Sequence, residues 1–306
     1  MIRIGVDFGG TKIEAVALDA DGGERARLRG PNPGSYEGAL QRVADLVQGV
    51  RQQSGAPRGP VGVGVPGSVS PTTGLMRGAN SVWLNGRDFA VDLARAVGVP
   101  VRLANDANCL ILSESTDGAA AGAKGAAFGA ILGTGCGGGV VVDGKLLEGA
   151  NGVAGEWGHS PLPWPTEQDK APLCWCGRKG CLETFISGTA LAADHARATG
   201  RRMKAEEVVA AARTGDRWAA EALDRYIERL GRALAVVADL IDPSVIVLGG
   251  GMSNVEELYE GLPGAIAPHV FSDVWSARIA PAAHGDSSGV RGAARLWPLE
   301  YAPVTA

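Results

Sequence analysis

Asp7-Phe8-Gly9-Gly10-Thr11-Lys12 follows a β-branched run, Ile2 to Val6, with two glycines, a hydroxyl and a cation. Phosphate transfer is mostly positioning and charge neutralisation, so it calls for backbone N–H groups and a cation aimed at the phosphates. Glycines let backbone approach a phosphate, Thr11 can donate its hydroxyl, and Asp7 can hold Mg²⁺ directly or through water. A second glycine turn, Gly133-Thr134-Gly135-Cys136-Gly137-Gly138-Gly139, offers the same resources. It contains G-x-G-x-x-G, but a dinucleotide fingerprint must open a helix, whereas Val140-Val141-Val142 and Asp143-Gly144 read as a continuing hairpin. Neither turn is a Walker A loop, because Thr11 precedes Lys12. The competing reading of each is a plain hairpin turn. Gly249-Gly250-Gly251 ends a strand and could let an adenine or ribose lie flat against backbone, or could simply be a tight strand-to-helix turn.

Asn105-Asp106 places an amide beside a carboxylate at the end of a strand, where functional groups of α/β sheets collect. A general base for a sugar hydroxyl must lie within hydrogen-bond reach of it, and carboxylates do this work in kinases. The same pair reads equally well as a helix N-cap, and the two roles can coexist. Gly155-Glu156-Trp157-Gly158-His159 and Glu183 bring two carboxylates and an imidazole, a hydrogen-bonding set that suits a polyhydroxylated ring. Cys174-x-Cys176-x₄-Cys181, with His159 fifteen residues before the first cysteine, matches a closed tetrahedral Cys₃His zinc site, structural because no position is left for water. Zinc there would pin His159 and the Glu156 segment next to Glu183. Trp83, Trp157, Trp164 and Trp175 lie in or beside these motifs; they could stack on a sugar, but core packing is the favoured reading.

The bulk properties narrow the partners. A net charge of −4, with no run of one sign, argues against a nucleic-acid backbone or an anionic membrane and leaves small molecules. The N-terminus lacks a basic segment followed by a long apolar one, so no secretory signal is expected and the setting reads as cytoplasmic. Gly125 to Val142 is uncharged for 18 residues, yet seven are glycine, and it reads as strand, turn, strand rather than as a membrane span. Five cysteines, three of them crowded together, fit metal binding better than a disulfide framework.

Periodicity supplies the elements that must hold these groups. Ile2 to Val6 and Ile13 to Leu18 read as a hairpin and residues 35 to 53 as an amphipathic helix. A strand at Val61 to Val65 ends in Pro66-Gly67, and a helix at 88 to 97 leads to a strand at 99 to 103. Asn108 to Ala121 can be helical, and Gly118 to Lys124 reads as a joint between two domains. Ala127 to Leu132, the turn 133 to 139 and Val140 to Leu147 then restart the layout of residues 2 to 18, like an internal duplication. A long helix from Asp216 to Ile241 stops at Asp242-Pro243, and the strand Val245 to Leu248 follows. At 306 residues there is room for two domains: 1–118, completed by a C-terminal helix at 288–299, and 119–287, which carries the zinc loop.

With DFGGTK, VGVGVPGSV, LANDANC, GTGCGGG, GEWGH, CWCGRKGCLE and LGGGMS in this order, the chain resembles the ROK family of bacterial sugar kinases over essentially its whole length. The resemblance implies an α/β fold of two actin-like (ribonuclease H-like) domains flanking a cleft, ATP with Mg²⁺, and a zinc-stabilised loop at the sugar site. Carried over by motif, Asp106 matches the catalytic base. Gly67, Asn80, Asn105, Glu156, His159 and Glu183 match sugar contacts, and His159, Cys174, Cys176 and Cys181 match zinc ligands. Gly9, Gly10, Thr11, Lys12, Thr134 and Gly135 match phosphate contacts, Gly249, Gly250 and Gly251 the adenosine turn, and Asp7 the Mg²⁺ partner. Asn80 to Gly86, Pro161 to Trp164 and Glu183 to Gly188 look most like the bacterial fructokinases, also called mannofructokinases, so the resemblance points to fructose giving fructose 6-phosphate. Glucokinase, mannokinase and N-acetylhexosamine kinase activities are the alternatives within the family. It also implies a homodimer. A sugar-responsive repressor of the same family is the rival from another class, disfavoured because Asp7 lies too near the start for a DNA-binding segment to precede it.

Overall fold

The computed structural model describes residues 1–79 and 81–298. These form two compact units, each built on a five-stranded sheet.

The first unit holds residues 1–121, 144–154 and the C-terminal segment from 286. Its elements are β1 (Arg3–Phe8), β2 (Lys12–Leu18), β3 (Glu24–Pro31), α1 (Tyr36–Ser54), β4 (Val61–Val65), the two-residue strands β5 (Ser68–Val69) and β6 (Met76–Arg77), α2 (Phe89–Val97), β7 (Val101–Asn105) and α3 (Asp106–Asp117). The sheet order is β3-β2-β1-β4-β7. Tight turns make β1, β2 and β3 antiparallel, whereas α1 and α2 return the chain so that β1, β4 and β7 run parallel. All five residues of β4 are buried, as expected of a parallel strand covered on both faces. One cover is the helix Ser288–Ala294, which lies directly on glycine backbone. A side chain at Gly62 would meet the Ala293 carbonyl at 1.8 Å and one at Gly5 the Val290 carbonyl at 2.3 Å. Gly292, in turn, would meet the Cys109 carbonyl of α3 at 1.7 Å.

The second unit holds residues 122–143 and 155–285. It contains β8 (Ala126–Leu132), β9 (Cys136–Val142), α4 (Glu183–Ile186), α5 (Gly188–Thr199), α6 (Ala205–Arg213), α7 (Arg217–Ile241), β11 (Val245–Gly249), α8 (Glu256–Ile266) and β12 (Arg278–Pro281). With β10 (Lys145–Leu146) at its edge, the sheet runs β10-β9-β8-β11-β12. An antiparallel hairpin followed by parallel strands repeats the layout of the first sheet. The long helix α7 buries Leu223, Tyr226, Leu230, Leu234 and Val237, and Asp216 caps it by accepting from the N–H groups of Trp218 and Ala219.

Two details depart from the sequence reading. Residues 144–154, placed with the second domain by chain order, cluster with the first unit. The glycine turn is shorter than 133 to 139, because β9 begins at Cys136. Gly137, Gly138 and Gly139 are strand residues; a Cβ on Gly138 would lie 2.7 Å from both the Gly155 carbonyl and the Trp157 ring, so the strand is glycine to let that segment pack on it. No helix among the described residues is long and apolar enough to cross a membrane.

Candidate active site

In the first unit the loop Gly9 to Thr11 is fastened from outside: the Asn32 side-chain amide donates to the Gly9 carbonyl at 2.8 Å, and the Asn32 N–H to the Thr11 carbonyl at 2.9 Å. Gly9 has no room for a side chain, since a Cβ would sit 2.8 Å from the Lys12 carbonyl, whereas Gly10 and Thr11 are exposed. Asp7, one residue from the end of β1, pairs across the hairpin with Glu14. Burial, then the negative charges of Asp106, Glu14 and Asp286, push its carboxyl up from 3.8 to about 6 against the opposing Lys12. Asp286 was not singled out in the sequence. Its position just before the helix Ser288–Ala294 brings its charge to bear on Asp7 from some 280 residues away in the chain, and a Cβ on Gly289 of that helix would lie 3.7 Å from the Asp7 carboxyl.

Asn105 and Asp106 separate the two readings the sequence left open. Asn105 is the N-cap of α3, with extended backbone and a side-chain oxygen accepting from the Asn108 N–H at 2.7 Å. Asp106 is the first helical residue and is exposed, with one carboxylate oxygen accepting from the Ala107 N–H at 2.8 Å. The cap role belongs to the amide. Gly67 follows β4 at φ +79°, and a side chain there would meet the Arg77 carbonyl at 2.4 Å. Asn80 lies outside the described residues, as does residue 299 at the end of the expected C-terminal helix; the helix itself is Ser288–Ala294.

In the second unit the cysteines and His159 converge as their spacing indicated. Isolated β-bridges Pro161–Cys181 and Leu173–Lys179 fold the loop back on itself. The Cys174 sulfur lies 3.7 Å from His159 Nδ1 and the Cys176 sulfur 3.6 Å from that of Cys181; the four ligand atoms all lie within 4.8 Å of one another. A tetrahedron with Zn–S bonds of about 2.3 Å has edges of about 3.8 Å, so donor set and size both fit zinc. Burial pushes the Cys174 thiol up and that of Cys181 to about 12, while the backbone N–H of Arg178 holds Cys176 below its ordinary value. A cation at this point would favour the thiolate form of all three. Behind the loop, Asp169 accepts from Arg229 at 2.7 Å and Arg232 at 2.9 Å, and Arg232 also donates to the carbonyls of Pro163 and Trp164.

Glu183 opens α4 and faces two ways. One oxygen accepts from the Cys136 N–H at 3.1 Å, beside the second glycine turn, and the other from the Trp175 indole N–H at 2.6 Å. A Cβ at Gly135 would lie 2.6 Å from the Glu183 carboxylate, so a side chain there would displace Glu183 from its place beside the turn. The turn is held further by Gly188, whose N–H donates to the Gly133 carbonyl at 2.7 Å, and by Thr189, whose hydroxyl donates to the Thr134 carbonyl at 2.6 Å. Glu156 begins the short helical turn Trp157–His159, and Trp157 donates to the Gly137 carbonyl at 2.9 Å. The tryptophans divide: Trp83 and Trp157 pack edge-on to Phe8 and Phe128, whereas Trp164 and Trp175 are 50% and 66% exposed, against the expectation of core packing.

A cavity of about 950 Å³ in this unit joins Thr134 to Gly251, with an apolar lining that includes Val209, Met252 and Val255 and with Lys204 and Arg213 among its polar residues. Such a cavity suits a small, partly apolar ligand. Gly249 is buried in β11, and Gly250, at φ +78°, would place a Cβ 2.7 Å from the Leu132 carbonyl. The contribution of α6 to this cavity was not seen in the sequence, whose short Ala-rich run carries no chemical signature.

A family model described as the ROK family matches residues 3–300, and the chain belongs to that family. An N-acetyl-D-glucosamine kinase of Photobacterium profundum is 40% identical over 298 residues, covering 95% of this chain and 98% of that protein. One of Vibrio cholerae is 39% identical over the same length, covering 95% and 98%. Among solved structures, a ROK hexokinase from Thermus thermophilus superposes with a TM-score of 0.86 at 32% identity, covering 96% of this chain and 97% of that one. A ROK family glucokinase from Streptomyces griseus, in complex with glucose and AMPPNP, gives 0.80 at 30% identity, covering 97% and 99%. These relatives give the fructokinase expectation no support.

Proposed function

We propose that this protein is an ATP-dependent kinase that phosphorylates a hexose-type sugar. The observation that carries the reading is the division of labour at the start of α3: Asn105 caps the helix, so Asp106 is not needed for capping and sits exposed at the strand end. In this reading Asp106 accepts the proton of the attacking hydroxyl, and Asn105, Glu156, His159 and Glu183 hold the sugar through its other hydroxyls. The N–H groups of Gly9 to Lys12 and Thr134-Gly135, with the Lys12 ammonium, receive the phosphates, and the cavity beside Gly251 receives the nucleoside. Asp7 is the residue that would hold Mg²⁺, which supplies charge neutralisation between the phosphates when bound. His159, Cys174, Cys176 and Cys181 would hold a structural zinc, whose part is to fix His159 by Nδ1 and leave Nε2 for the sugar.

For the acceptor, matches along nearly the whole chain to N-acetyl-D-glucosamine kinases favour N-acetyl-D-glucosamine. The segments around Trp83, Pro161 to Trp164 and Glu183 to Gly188 favour fructose as a second reading. A coupled ADP-release assay across N-acetyl-D-glucosamine, fructose, glucose and mannose separates them, because a pocket that hydrogen-bonds each substituent discriminates steeply. The largest kcat/KM is expected with N-acetyl-D-glucosamine. A larger value with fructose reverses the order of the two readings, and no ADP release with any sugar would sink the kinase assignment in favour of a sugar-responsive regulator.

A further inference from the structure

Trp175 stands between two of the zinc-loop cysteines, Cys174 and Cys176, so a metal at that site fixes its backbone on both sides. Its ring is 66% exposed and fills no core. Yet it is not loose. The indole N–H donates to Glu183 at 2.6 Å, and the ring stands T-shaped to His159, with centroids 5.0 Å apart and planes at 80°. The Cys174 sulfur also approaches the same Glu183 oxygen, at 3.9 Å. A large aromatic left mostly in water gains little by packing there, so the group that matters is the N–H.

The consequence for Glu183 follows from counting lone pairs. An ionised carboxylate has about four acceptor sites. Here one oxygen receives the Cys136 N–H beside the glycine turn and the other receives the Trp175 N–H from the zinc loop. The carboxylate is thereby held from two sides, with acceptor capacity left for a ligand on the oxygen beside the glycine turn. Both donors are donor-only groups, so they fix the orientation of the carboxylate and leave its remaining lone pairs to accept from the ligand. We infer that Trp175 is a positioning residue for the acceptor sugar, acting through Glu183 by fixing that carboxylate to receive sugar hydroxyls. The inference rests on the reading of Glu183 as a sugar ligand.

The test keeps the two apart. Glu183→Gln alone reports on the underlying reading: a raised sugar KM is expected, and an unchanged one overturns both that reading and the role of Trp175. Trp175→Phe retains the ring and deletes the N–H. It is expected to raise the sugar KM by ~2–12-fold, the net weight of one ordinary hydrogen bond, since exposure to water weakens the charge assistance, with kcat, the KM for ATP and the zinc content unchanged. In the Glu183→Gln background, Trp175→Phe should add nothing further. An unchanged sugar KM in Trp175→Phe, or full additivity in the double variant, overturns the proposal even if Glu183→Gln behaves as expected. A readout without loss of the indole uses protein with ¹⁵N-labelled tryptophan. The Trp175 indole resonance should move in Glu183→Gln and again on adding sugar to the unaltered protein, and a resonance indifferent to both overturns the inference should Trp175→Phe fail to retain zinc.

Discussion

Asp106 and Asp7 feel each other's charge but sit in different surroundings, Asp106 exposed and Asp7 half-buried. Asn105 caps α3, and an asparagine at 106 keeps a side-chain oxygen for the Ala107 N–H, so the helix start is expected to survive that substitution. Asp106→Asn is therefore expected to bind sugar nearly as well as the parent while turnover falls by ~10²–10⁴-fold, the weight of a lost general base. Steady-state kinetics beside a sugar-binding titration decides this, and near-normal turnover would remove Asp106 from the mechanism. Asp7 is lifted to about 6 by burial and by three nearby carboxylates. A cation binds the ionised form, so protons compete with Mg²⁺ as the pH falls through that value. The half-saturating Mg²⁺ concentration is expected to rise between pH 7.5 and 5.5, and to lose that dependence in Asp7→Asn. A flat Mg²⁺ requirement across this range in the parent would contradict the assignment.

At the scale of elements, the zinc loop and the segment 183–189 act together. The loop presents His159 and Trp175, and the segment, through Glu183, Gly188 and Thr189, holds the second glycine turn by three hydrogen bonds. Cys176→Ser removes a thiolate from a four-donor site and is expected to abolish stoichiometric zinc and weaken sugar affinity, while the first unit is undisturbed. Metal analysis of freshly purified protein with sugar titrations tests it; a parent without zinc, or a variant that keeps both zinc and affinity, would falsify the loop's role. The pairing of zinc loop with glycine turn was only half legible beforehand. The cysteine spacing announced the four-donor cluster, but Glu183 carries no spacing rule that links it to Cys136, because the two meet only after the chain between them has folded.

Across the whole molecule, the two units repeat one sheet order, and each is closed by groups distant in sequence. In the second unit the Asp169–Arg229–Arg232–Asp194 network lies beneath the zinc loop, with Asp169 and both arginines nearly fully buried. Burial alone would raise the Asp169 carboxyl, but the Thr166 N–H and the two guanidinium groups outweigh it and hold it at about 2. A carboxyl held below its ordinary value stabilises the folded state above about pH 4, and this contribution is lost as the pH falls toward 2. Asp169→Asn leaves two buried arginines short of a partner and is expected to cost roughly 3–5 kcal/mol near neutral pH. Thermal melts of parent and variant should converge as the pH drops from 4 to 2. A constant gap over that window would show that the ion pairs are not what links Asp169 to stability.

The local and the chemical were legible in the chain before folding. Strand periodicity, the hairpin turns, the long helix α7 and the crowded cysteines are written in nearest neighbours, and so are the glycine turns and the Asn105-Asp106 pair. Folding settled what depends on approach between distant segments. It shortened the second turn to 133–135, because Gly138 must admit the backbone of Gly155. It assigned the cap to Asn105, since only backbone geometry tells which of two adjacent polar residues occupies the cap position and which is the first helical residue. It brought Asp286 toward Asp7 and Trp175 onto Glu183, contacts that no periodicity encodes because they are made by the surfaces of finished elements. Acceptor choice belongs to the same class, because a pocket discriminates by its finished shape and not by the local run of residues that supplies it.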